Sequence, residues 1–442
     1  MAQFSDKIMV ITFNEGDYKK DIGALDTSQC PIKMHMNGLN FETQQPDIVI
    51  LNSQEACAEF QDHIQRCVIG LDKYAVLFDG TKGLPTRQLR TSVLVRKYKN
   101  DDDVYEDADV DFRDKSVWRG RLPATKHMGL MTSKVTLVTD NRLRRGGGGM
   151  QQNDTATTTT TVDGDITQLE VTYLPLNTAR TKGAIGVHLV YRAKPVWIIN
   201  AHLAFNGDAL DQGLSERWAQ FQKILDKFQL ESAFNSGALI IFSGDLNFRN
   251  VCDGDRSIAC ANNILGQYKA MTWSDSALHD STTTAHTLIG NELYRQLQEL
   301  IANRPNAFYR QLKASVFLQV PTCRFTEHRA HMDASSGEIL YDGLETTKKQ
   351  NKKGGKSAVR VPSTCDQILF ACNTHVECTI RPWSIGAMSG SDHIGLVSSI
   401  NWDASGVAWS NDYVNNTHAV PRTYDTHTRK RATDDNPDIG WH

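Results

Sequence analysis

Short apolar runs of strand length recur along the chain, and most of them stop at a polar side chain. Runs of four to eight apolar residues bounded by polar turns are typical of buried β-strands. They predict strands over residues 7–13, 47–53, 74–78, 91–97, 168–173, 184–191, 196–203, 239–249 and 366–370, with a last strand after residue 393. Apolar residues at helical spacing predict a helix over 212–230, and another helix is predicted over 292–301. The pattern favours an α/β protein.

The polar groups at the strand ends are of types that take part in chemistry. Five runs end at such groups and a sixth begins at one; the groups are Asn14, Glu55, His202, Asp245 with Asn247, Asp392 with His393, and Asp366. Each of these residues also has an ordinary structural explanation. Glu55, for example, fits the first turn of a helix. Active sites are commonly gathered at one edge of a rigid scaffold. The joint occurrence of these groups favours such a site.

The run that reaches residue 249 ends in three polar side chains at alternate positions, Asp245, Asn247 and Arg249. On an extended backbone these side chains point the same way. A carboxylate, an amide and a guanidinium suit phosphate chemistry, since the guanidinium can bind two phosphate oxygens. The alternative is a strand that ends in a polar turn.

Two more cations are candidate phosphate ligands. Lys182 lies on a Thr-Lys-Gly turn just before a predicted strand. Arg217 neighbours the apolar stripe of the helix predicted over 212–230, where it could pair with an acid or reach towards a phosphate.

Composition excludes several classes of protein. The 442 residues are 40% hydrophobic and 22% charged, with a net charge of −3, so no nucleic-acid partner is expected, whereas a small anionic substrate is compatible. Nine cysteines without Cys-x-x-Cys spacing indicate neither a disulfide framework nor a zinc site, and a reducing, cytoplasmic location is predicted. We expect no membrane span and no signal peptide, since no apolar run approaches about 18 residues.

Two segments of biased composition predict mobile insertions, near 142–166, rich in Gly and Thr, and near 345–358, rich in Lys. Because strand patterns resume after each, we predict one catalytic domain over 1–402, followed by a polar tail over 403–442. The lysines are either simply solvated or favour peripheral contact with an anionic membrane. The sequence does not indicate an oligomeric state.

The blocks around these residues resemble the inositol polyphosphate 5-phosphatases of the endonuclease/exonuclease/phosphatase superfamily. The most specific blocks are Gly-Asp-Leu-Asn-Phe-Arg at 244–249 and Pro-Ser-Thr-Cys-Asp-Gln-Ile-Leu at 362–369. Shorter matches lie at 13–14, 54–55, 181–187, 200–203, 321–322 and 391–393. The resemblance covers roughly residues 7–401.

This resemblance implies a four-layer α/β sandwich of two packed mixed β-sheets flanked by helices. It also implies Mg²⁺-dependent hydrolysis of the 5-phosphate of inositol polyphosphates or phosphoinositides, a reaction of signalling pathways. The predicted catalytic residues are His202, Asp245, Asn247, Asp366 and His393. The predicted metal ligands are Asn14, Glu55 and Asp392. The predicted substrate-binding residues are Lys182, Arg217, Arg249, Arg324 and Arg360.

The roles follow from matched positions. Asp245 would activate or orient the attacking water, and Asn247 would hold a phosphate oxygen. His202 and His393 would bind the scissile phosphate, with His393 oriented by Asp366. Phosphoryl transfer depends mainly on positioning and charge neutralisation, which agrees with this set.

The chain departs from the family pattern at several positions. Thr364 and Gln367 stand where the family usually has Trp and Arg, and Cys323 and Arg324 stand where it has a Tyr-Lys pair associated with the 4-phosphate. Ala358 replaces a Lys, whereas Arg360 is retained. The resemblance therefore implies intact cleavage with altered 4-phosphate recognition. The alternatives are a phosphodiesterase of nuclease or sphingomyelinase type, and a catalytically silent phosphoinositide-binding module.

Overall fold

The fold is described from a computed structural model of the chain. The described residues are 6–16, 46–56, 74–79, 89–96, 132–139, 155–161, 166–177, 181–191, 194–205, 212–251, 262–263, 266, 290–318, 321–323, 330–332, 339–341, 348–349, 358–359, 362–374, 376–383 and 391–402.

The first large sheet has six strands. They are β1 (Asp6–Asn14), β2 (Ile48–Gln54), β3 (Tyr74–Asp79), β4 (Leu89–Arg96), β18 (Val376–Trp383) and β19 (Gly395–Trp402), in the order β18-β19-β1-β2-β4-β3. β1 and β2 are parallel, and the other neighbours are antiparallel. The parallel register aligns Asn14 with Gln54, so the ends of both strands lie at the same edge.

The second large sheet has seven strands. They are β5 (Thr132–Thr139), β6 (Thr155–Thr161), β7 (Ile166–Pro175), β8 (Gly183–Tyr191), β9 (Lys194–His202), β10 (Leu239–Asp245) and β17 (Asp366–Ala371), in the order β17-β10-β9-β8-β7-β5-β6. β9 and β10 are parallel, and β10 and β17 are antiparallel. These registers place Asp245 between His202 on one side and Asp366 on the other.

Three two-stranded sheets complete the described strands. They pair β11 (Asn250–Val251) with β12 (Gly290–Asn291), β13 (Ala330–Met332) with β14 (Ile339–Tyr341), and β15 (Lys348–Lys349) with β16 (Ala358–Val359).

Four helices have described bounds: α1 (Gln212–Lys227), α2 (Leu230–Asn235), α3 (Glu292–Asn303) and α4 (Ala307–Ala314). Asn291 and Asn306 cap the last two, each accepting a hydrogen bond from a backbone N–H in the first turn. Among the described residues, no helix is long and apolar enough to cross a membrane.

β10 and β17 of the second sheet are buried along their whole length, on both faces, which explains their continuous apolar runs. In β10, Leu239 and Ile241 pack into the core shared with the first sheet, whereas Ile240 and Phe242 pack against the helices. Successive side chains of a strand alternate between faces, so one short run serves two cores. The predicted architecture, two packed mixed sheets with helices, is confirmed.

Buried polar side chains tie the two sheets together near the strand ends. Asn52 donates a hydrogen bond from Nδ2 to Ser243 Oγ at 2.7 Å, and Gln54 donates from Nε2 to Asn200 Oδ1 at 2.8 Å. All four side chains are buried. Fully buried polar pairs of this kind favour one relative position of the sheets over its neighbours.

The insertion predicted near 142–166 contains β6, which pairs with β5 at the edge of the second sheet. Threonine is β-branched and fits strands well, whereas the prediction counted the threonines with the glycines as too polar to become ordered. The lysine-rich insertion contains β15, which pairs with β16. The mobility of both segments and the domain limits stay predictions, and the tail over 403–442 lies outside the described residues.

Replacing Gly244 with alanine is expected to destabilise the protein by at least about 3 kcal/mol. Gly244 has φ +136°, and a Cβ atom there would lie 1.9 Å from the carbonyl oxygen of Ala201 in the neighbouring strand. Gly237→Ala is the matched control, because Gly237 also has positive φ (+93°) but has only Asn373 Oδ1 within range, at 3.9 Å. Denaturant unfolding measures both losses, and equal losses would contradict the steric explanation.

Candidate active site

Asp245 lies at the centre of a cluster of polar side chains between the two sheets. Its side chain is 3% exposed. Oδ2 accepts a hydrogen bond from Asn14 Nδ2 at 2.8 Å and lies 3.3 Å from His202 Nε2. Oδ1 accepts a hydrogen bond from the backbone N–H of Asn247 at 3.0 Å. The carboxylate is therefore held on both oxygens.

His202 and Lys182 form the first arm of the cluster. Lys182 Nζ contacts His202 Nε2, and this imidazole is 1% exposed. β8 and β9 bring the two together, since the register aligns Gly183 with His202. Burial and the charge of Lys182 lower the pKa of His202, outweighing the opposing effect of Asp245. His202 is therefore neutral at physiological pH.

His393 and Asp366 form the second arm. His393 Nδ1 lies 2.8 Å from Asp366 Oδ2, and both side chains are buried. Burial alone lowers the pKa of His393, but the neighbouring Cys323 and Asp366 raise it well above its ordinary value. Burial raises the pKa of Asp366 to about 6. At neutral pH the pair is a buried imidazolium and carboxylate.

Asp245 joins the two arms electrostatically. Burial alone raises its pKa, but the hydrogen bond with His202 and the charges of His393 and Lys182 together lower the pKa well below its ordinary value. Asp245 therefore stays ionised throughout the physiological pH range. An ionised carboxylate between two imidazoles can accept a proton or orient a water molecule.

The cluster opens to solvent at two acidic side chains, Glu55 and Asp392. Their side chains are 33% and 31% exposed. Glu55 Oε1 lies 3.9 Å from His202 Nε2, and Asp392 Oδ1 lies 3.8 Å from His393 Nε2. Glu55 has φ +49°, an uncommon backbone conformation for a glutamate, and such strain is often concentrated at functional sites.

Asn247 and Arg249 lie in the cluster, but their backbone is not the extended strand that was predicted. β10 ends at Asp245, and Asn247 has φ +55°, so the three side chains do not leave one face of an extended strand. That part of the prediction was wrong, because the backbone turns left-handed after the strand. Arg249 instead reaches back, and its Nη2 donates to Asn247 Oδ1 at 2.9 Å.

Several site contacts were missed by sequence reasoning. Phe205 lies under the Arg249 guanidinium, 4.3 Å from ring centroid to Cζ. Ser391 Oγ donates to the carbonyl oxygen of Asn14 at 2.6 Å, and Thr322 Oγ1 accepts from the Asp366 backbone N–H at 2.9 Å. Thr322 and Ser391 lie inside matched blocks, which was the available signal, whereas Phe205 had none.

The predicted substrate-binding residues are distributed unevenly. Lys182 and Arg249 contact the cluster through His202 and Asn247. Arg217 is instead 3% exposed and donates from Nη2 to Glu292 Oε2 at 2.7 Å. Its role in substrate binding stays a prediction. Arg324 and Arg360 lie outside the described residues.

Replacing Arg217 with methionine is expected to destabilise the protein by about 3–5 kcal/mol, because it removes the cation that balances a buried carboxylate. Arg304→Met is the matched control, since Arg304 pairs with Glu231 at 3.0 Å while its side chain is 63% exposed. An exposed pair contributes only about 0–1 kcal/mol. Thermal and denaturant unfolding measure both effects, and similar losses for the two variants would contradict the assignment.

The donor set fits a divalent cation that prefers oxygen ligands. The predicted ligands supply two partly exposed carboxylates, Glu55 and Asp392, beside the Asn14 amide, and Mg²⁺ takes few protein carboxylates. Within the described part of the chain, the ligand atoms of Asp245, Asp366 and His393 also lie within 4.8 Å of one another. Asp366 and His393 are hydrogen-bonded to each other, which leaves the exposed carboxylates as the open positions.

Comparison with known families decides the broad class. The model of the family described as "Endonuclease/Exonuclease/phosphatase family 2" matches residues 150–399, more than half of the chain. The chain belongs to this family. Endonucleases, exonucleases and phosphatases all hydrolyse phosphate esters. Membership of this family therefore makes the protein a phosphoesterase and leaves its substrate open. A search of curated protein sequences found no match.

Solved structures of low sequence identity are similar to the family member described here. The inositol polyphosphate 5-phosphatase domain of SPsynaptojanin, in complex with inositol (1,4)-bisphosphate and calcium ion, is 13% identical over 90% of this chain and 84% of its own, with TM-score 0.45. Truncated Caenorhabditis elegans TDP2 is 15% identical over 90% and 98%, with TM-score 0.35. Cimex nitrophorin, as a ferrous NO complex, is 10% identical over 90% and 98%, with TM-score 0.41.

Proposed function

We propose that the chain is a Mg²⁺-dependent phosphomonoesterase that removes the 5-phosphate from inositol polyphosphates or phosphoinositide headgroups. The position of Asp245 between His202 and His393 is the observation that supports this most. Phosphate ester hydrolysis needs an acceptor for the attacking water and donors for the charge on the phosphate. The inositol ring is inferred from the two specific sequence blocks, at 244–249 and 362–369.

Each arm has a distinct role in this proposal. Asp245 accepts a hydrogen bond from the attacking water and orients it. His393 donates from Nε2 to a phosphate oxygen while Asp366 holds Nδ1 and stabilises the positive ring. His202 contacts Lys182, and in the proposal this pair binds the phosphate, with the lysine adding positive charge.

The neighbours of Asn247 fix the orientation of its side-chain amide. Its Nδ2 donates to the carbonyl oxygen of Leu203 at 3.1 Å, and its Oδ1 accepts from Arg249. Arg249 itself is held by Phe205 below and by its backbone N–H, which donates to Glu292 at 3.1 Å. In the proposal, one Asn247 donor hydrogen holds a phosphate oxygen.

When bound by Glu55 with Asn14 and Asp392, Mg²⁺ would supply charge neutralisation for the phosphate. We further propose a cytoplasmic location. Peripheral contact with an anionic membrane through the lysines of 345–358 would contribute ~1 kcal/mol per lysine.

The test is phosphate release from a panel of soluble inositol phosphates and lipid phosphoinositides, with and without Mg²⁺. We expect Mg²⁺-dependent release from substrates that carry a 5-phosphate and none from matched isomers without it. Cleavage of plasmid or abasic DNA in place of phosphate release would favour the phosphodiesterase alternative. Headgroup binding without turnover in Mg²⁺ would favour the silent module.

Phosphate release is expected to fall as the pH is lowered through about 6, since the pKa of Asp366 is raised to about 6. Below this pH the protonated carboxyl no longer stabilises the positive His393 ring. Above this pH both groups are charged. His393 keeps its proton as the pH rises further, because its own pKa is raised. The measurement is kcat/KM between about pH 5 and pH 8. Asp366→Asn should lower activity and lose this acid limb; an unchanged limb would contradict the assignment.

A further inference from the structure

Glu292, the first residue of α3, forms two hydrogen bonds with the backbone of Arg249. Its Oε2 accepts from the Arg249 N–H at 3.1 Å, and its own backbone N–H donates to the Arg249 carbonyl oxygen at 2.9 Å. The next residues along, Asn250 and Asn291, pair in β11 and β12, and Asn291 Nδ2 donates to Asn250 Oδ1 at 3.1 Å. Both polar groups of the Arg249 backbone are therefore bound by one residue 43 positions away.

The Glu292 carboxylate is buried, and Arg217 balances its charge. The two residues are 2% and 3% exposed, and Arg217 Nη2 donates to the same Oε2 atom at 2.7 Å. The Arg217 guanidinium also lies over the ring of Phe248, 5.9 Å from its centroid. Hydrophobic residues of similar volume often pack as well as a buried ion pair. The pair is therefore better explained by the backbone groups that its carboxylate binds than by stability.

The segment that Glu292 binds contains a strained residue of the cluster. Asn247 has φ +55°, a left-handed conformation that is uncommon outside glycine. Its backbone N–H donates to Asp245 Oδ1 at 3.0 Å, so the strained residue directly adjoins the central carboxylate. Strain of this kind persists only where the surrounding contacts over-determine the conformation. The two bonds from Glu292 to Arg249, two residues further along, are contacts of this type.

The side chain of Arg249 connects this fixed backbone to the Asn247 amide. The guanidinium lies over Phe205, and its Nη2 donates to Asn247 Oδ1 at 2.9 Å. Because Oδ1 faces the arginine, the orientation of the amide is set. An amide nitrogen carries two hydrogens, and one of them donates to the carbonyl oxygen of Leu203 at 3.1 Å. The other is the donor that the proposed function assigns to a phosphate oxygen.

We propose that Glu292 is a positioning residue for phosphate binding: it fixes the Arg249 backbone, and Arg249 in turn fixes the Asn247 amide. The inference rests on the proposed function, in which Asn247 holds a phosphate oxygen. Glu292 does not itself touch the substrate. Its acceptor oxygen does the positioning, whereas its charge is balanced by Arg217. An uncharged acceptor at residue 292 should therefore serve nearly as well, provided that the charge of Arg217 is removed with it.

The test compares two uncharged versions of the buried pair in the full chain. In the glutamine version, Arg217→Met with Glu292→Gln, a carbonyl oxygen remains for the Arg249 N–H. In the methionine version, Arg217→Met with Glu292→Met, that oxygen is lost at similar side-chain volume. We expect kcat/KM for phosphate release from an inositol phosphate in Mg²⁺ to fall about 10- to 100-fold in the methionine version and less than about threefold in the glutamine version. Equal losses in the two versions, or no loss in either, would overturn the proposal.

Hydrogen exchange tests the same contact without any use of activity. Peptides that cover residues 246–250 should be protected in the unchanged chain and in the glutamine version, and should lose protection in the methionine version. Glu231→Gln is the control, because Glu231 accepts hydrogen bonds from Arg304 at 3.0 Å and Asn306 at 2.6 Å, at the opposite end of α3. It should change neither this exchange nor the activity. Rapid exchange of the Arg249 amide in the unchanged chain would overturn the proposal, even where the methionine version unfolds.

A double-mutant cycle tests the route through Arg249. With Arg249→Met in place, the step from the glutamine to the methionine version should lower kcat/KM less than about threefold, since the link to Asn247 is already absent. An undiminished loss of about 10- to 100-fold in that background would overturn the route. Absence of phosphate release by the unchanged chain, with the Arg249 amide protected, would instead count against the proposed function while leaving the contact with Glu292 established. The two failures are therefore distinguishable.

Discussion

Phosphate release by Asp245→Asn is expected to be about 10²- to 10⁴-fold slower than by the unchanged chain, the range for loss of a positioned acid–base group. The amide has the same shape as the carboxylate and can still accept a hydrogen bond from Asn14, which now donates to Oδ2 at 2.8 Å. It carries no charge and cannot accept a proton from water. The loss should therefore be in kcat rather than in KM.

A second buried aspartate gives the matched control for Asp245. Asp47 lies before β2, where its Oδ1 accepts from Arg96 Nη2 at 2.6 Å. Asp47→Asn also removes a buried charge, but at the opposite end of that strand from Glu55, so turnover should change little. Single-turnover measurements with saturating substrate compare the two. Near wild-type turnover in Asp245→Asn, with a normal unfolding midpoint, would contradict the central role of Asp245.

His393→Ala is expected to have the second largest effect, a loss of about 10²- to 10³-fold in kcat/KM. The substitution removes a charged donor from the phosphate and leaves the buried Asp366 carboxylate without its imidazole, now 2.8 Å away. The pKa of Asp366 should then rise further, because burial raises this pKa and has the largest effect on it. Loss of both charges should make the activity of the variant insensitive to pH below neutrality.

His188 provides the comparison for His393. This histidine of β8 stacks on Trp197, with ring centroids 4.7 Å apart, and burial lowers its pKa. His188→Ala removes an imidazole that lies away from the cluster and should retain most of the activity. Steady-state kinetics of both variants on one inositol phosphate provides the measurement, and equal losses would show that the His393 effect is not specific to the site.

The strand ends could be predicted because buried strands have a strong local signal. The apolar runs before Asn14, His202 and Asp245 are each found as strands that end at or next to those residues. The sequence could not give the registers, which depend on how distant strands align. That alignment alone sets Asp245 beside both His202 and Asp366.

The residues that could not be predicted depend on contacts between distant segments. Arg217 pairs with Glu292, 75 positions away, and nothing local distinguishes a buried pair from an exposed arginine. Gln367, where the resembling family has arginine, illustrates the same point. Its amide bonds the backbone of Phe317 through both Oε1 and Nε2, at 2.9 and 3.2 Å. These hydrogen bonds explain structurally why a glutamine fits at this position.

The pairing of β1 with β19 has a consequence for synthesis of the protein. Asp6 pairs with Trp402, and Thr12 pairs with Leu396, so the first described strand cannot pair with the last until the ribosome has made both. Pairing across such a separation is slow. His393 lies two residues before β19 and is translated just ahead of it. If His393 has the proposed role, a nascent chain that already carries Glu55, His202 and Asp245 is expected to stay inactive until the segment with His393 and β19 has been translated.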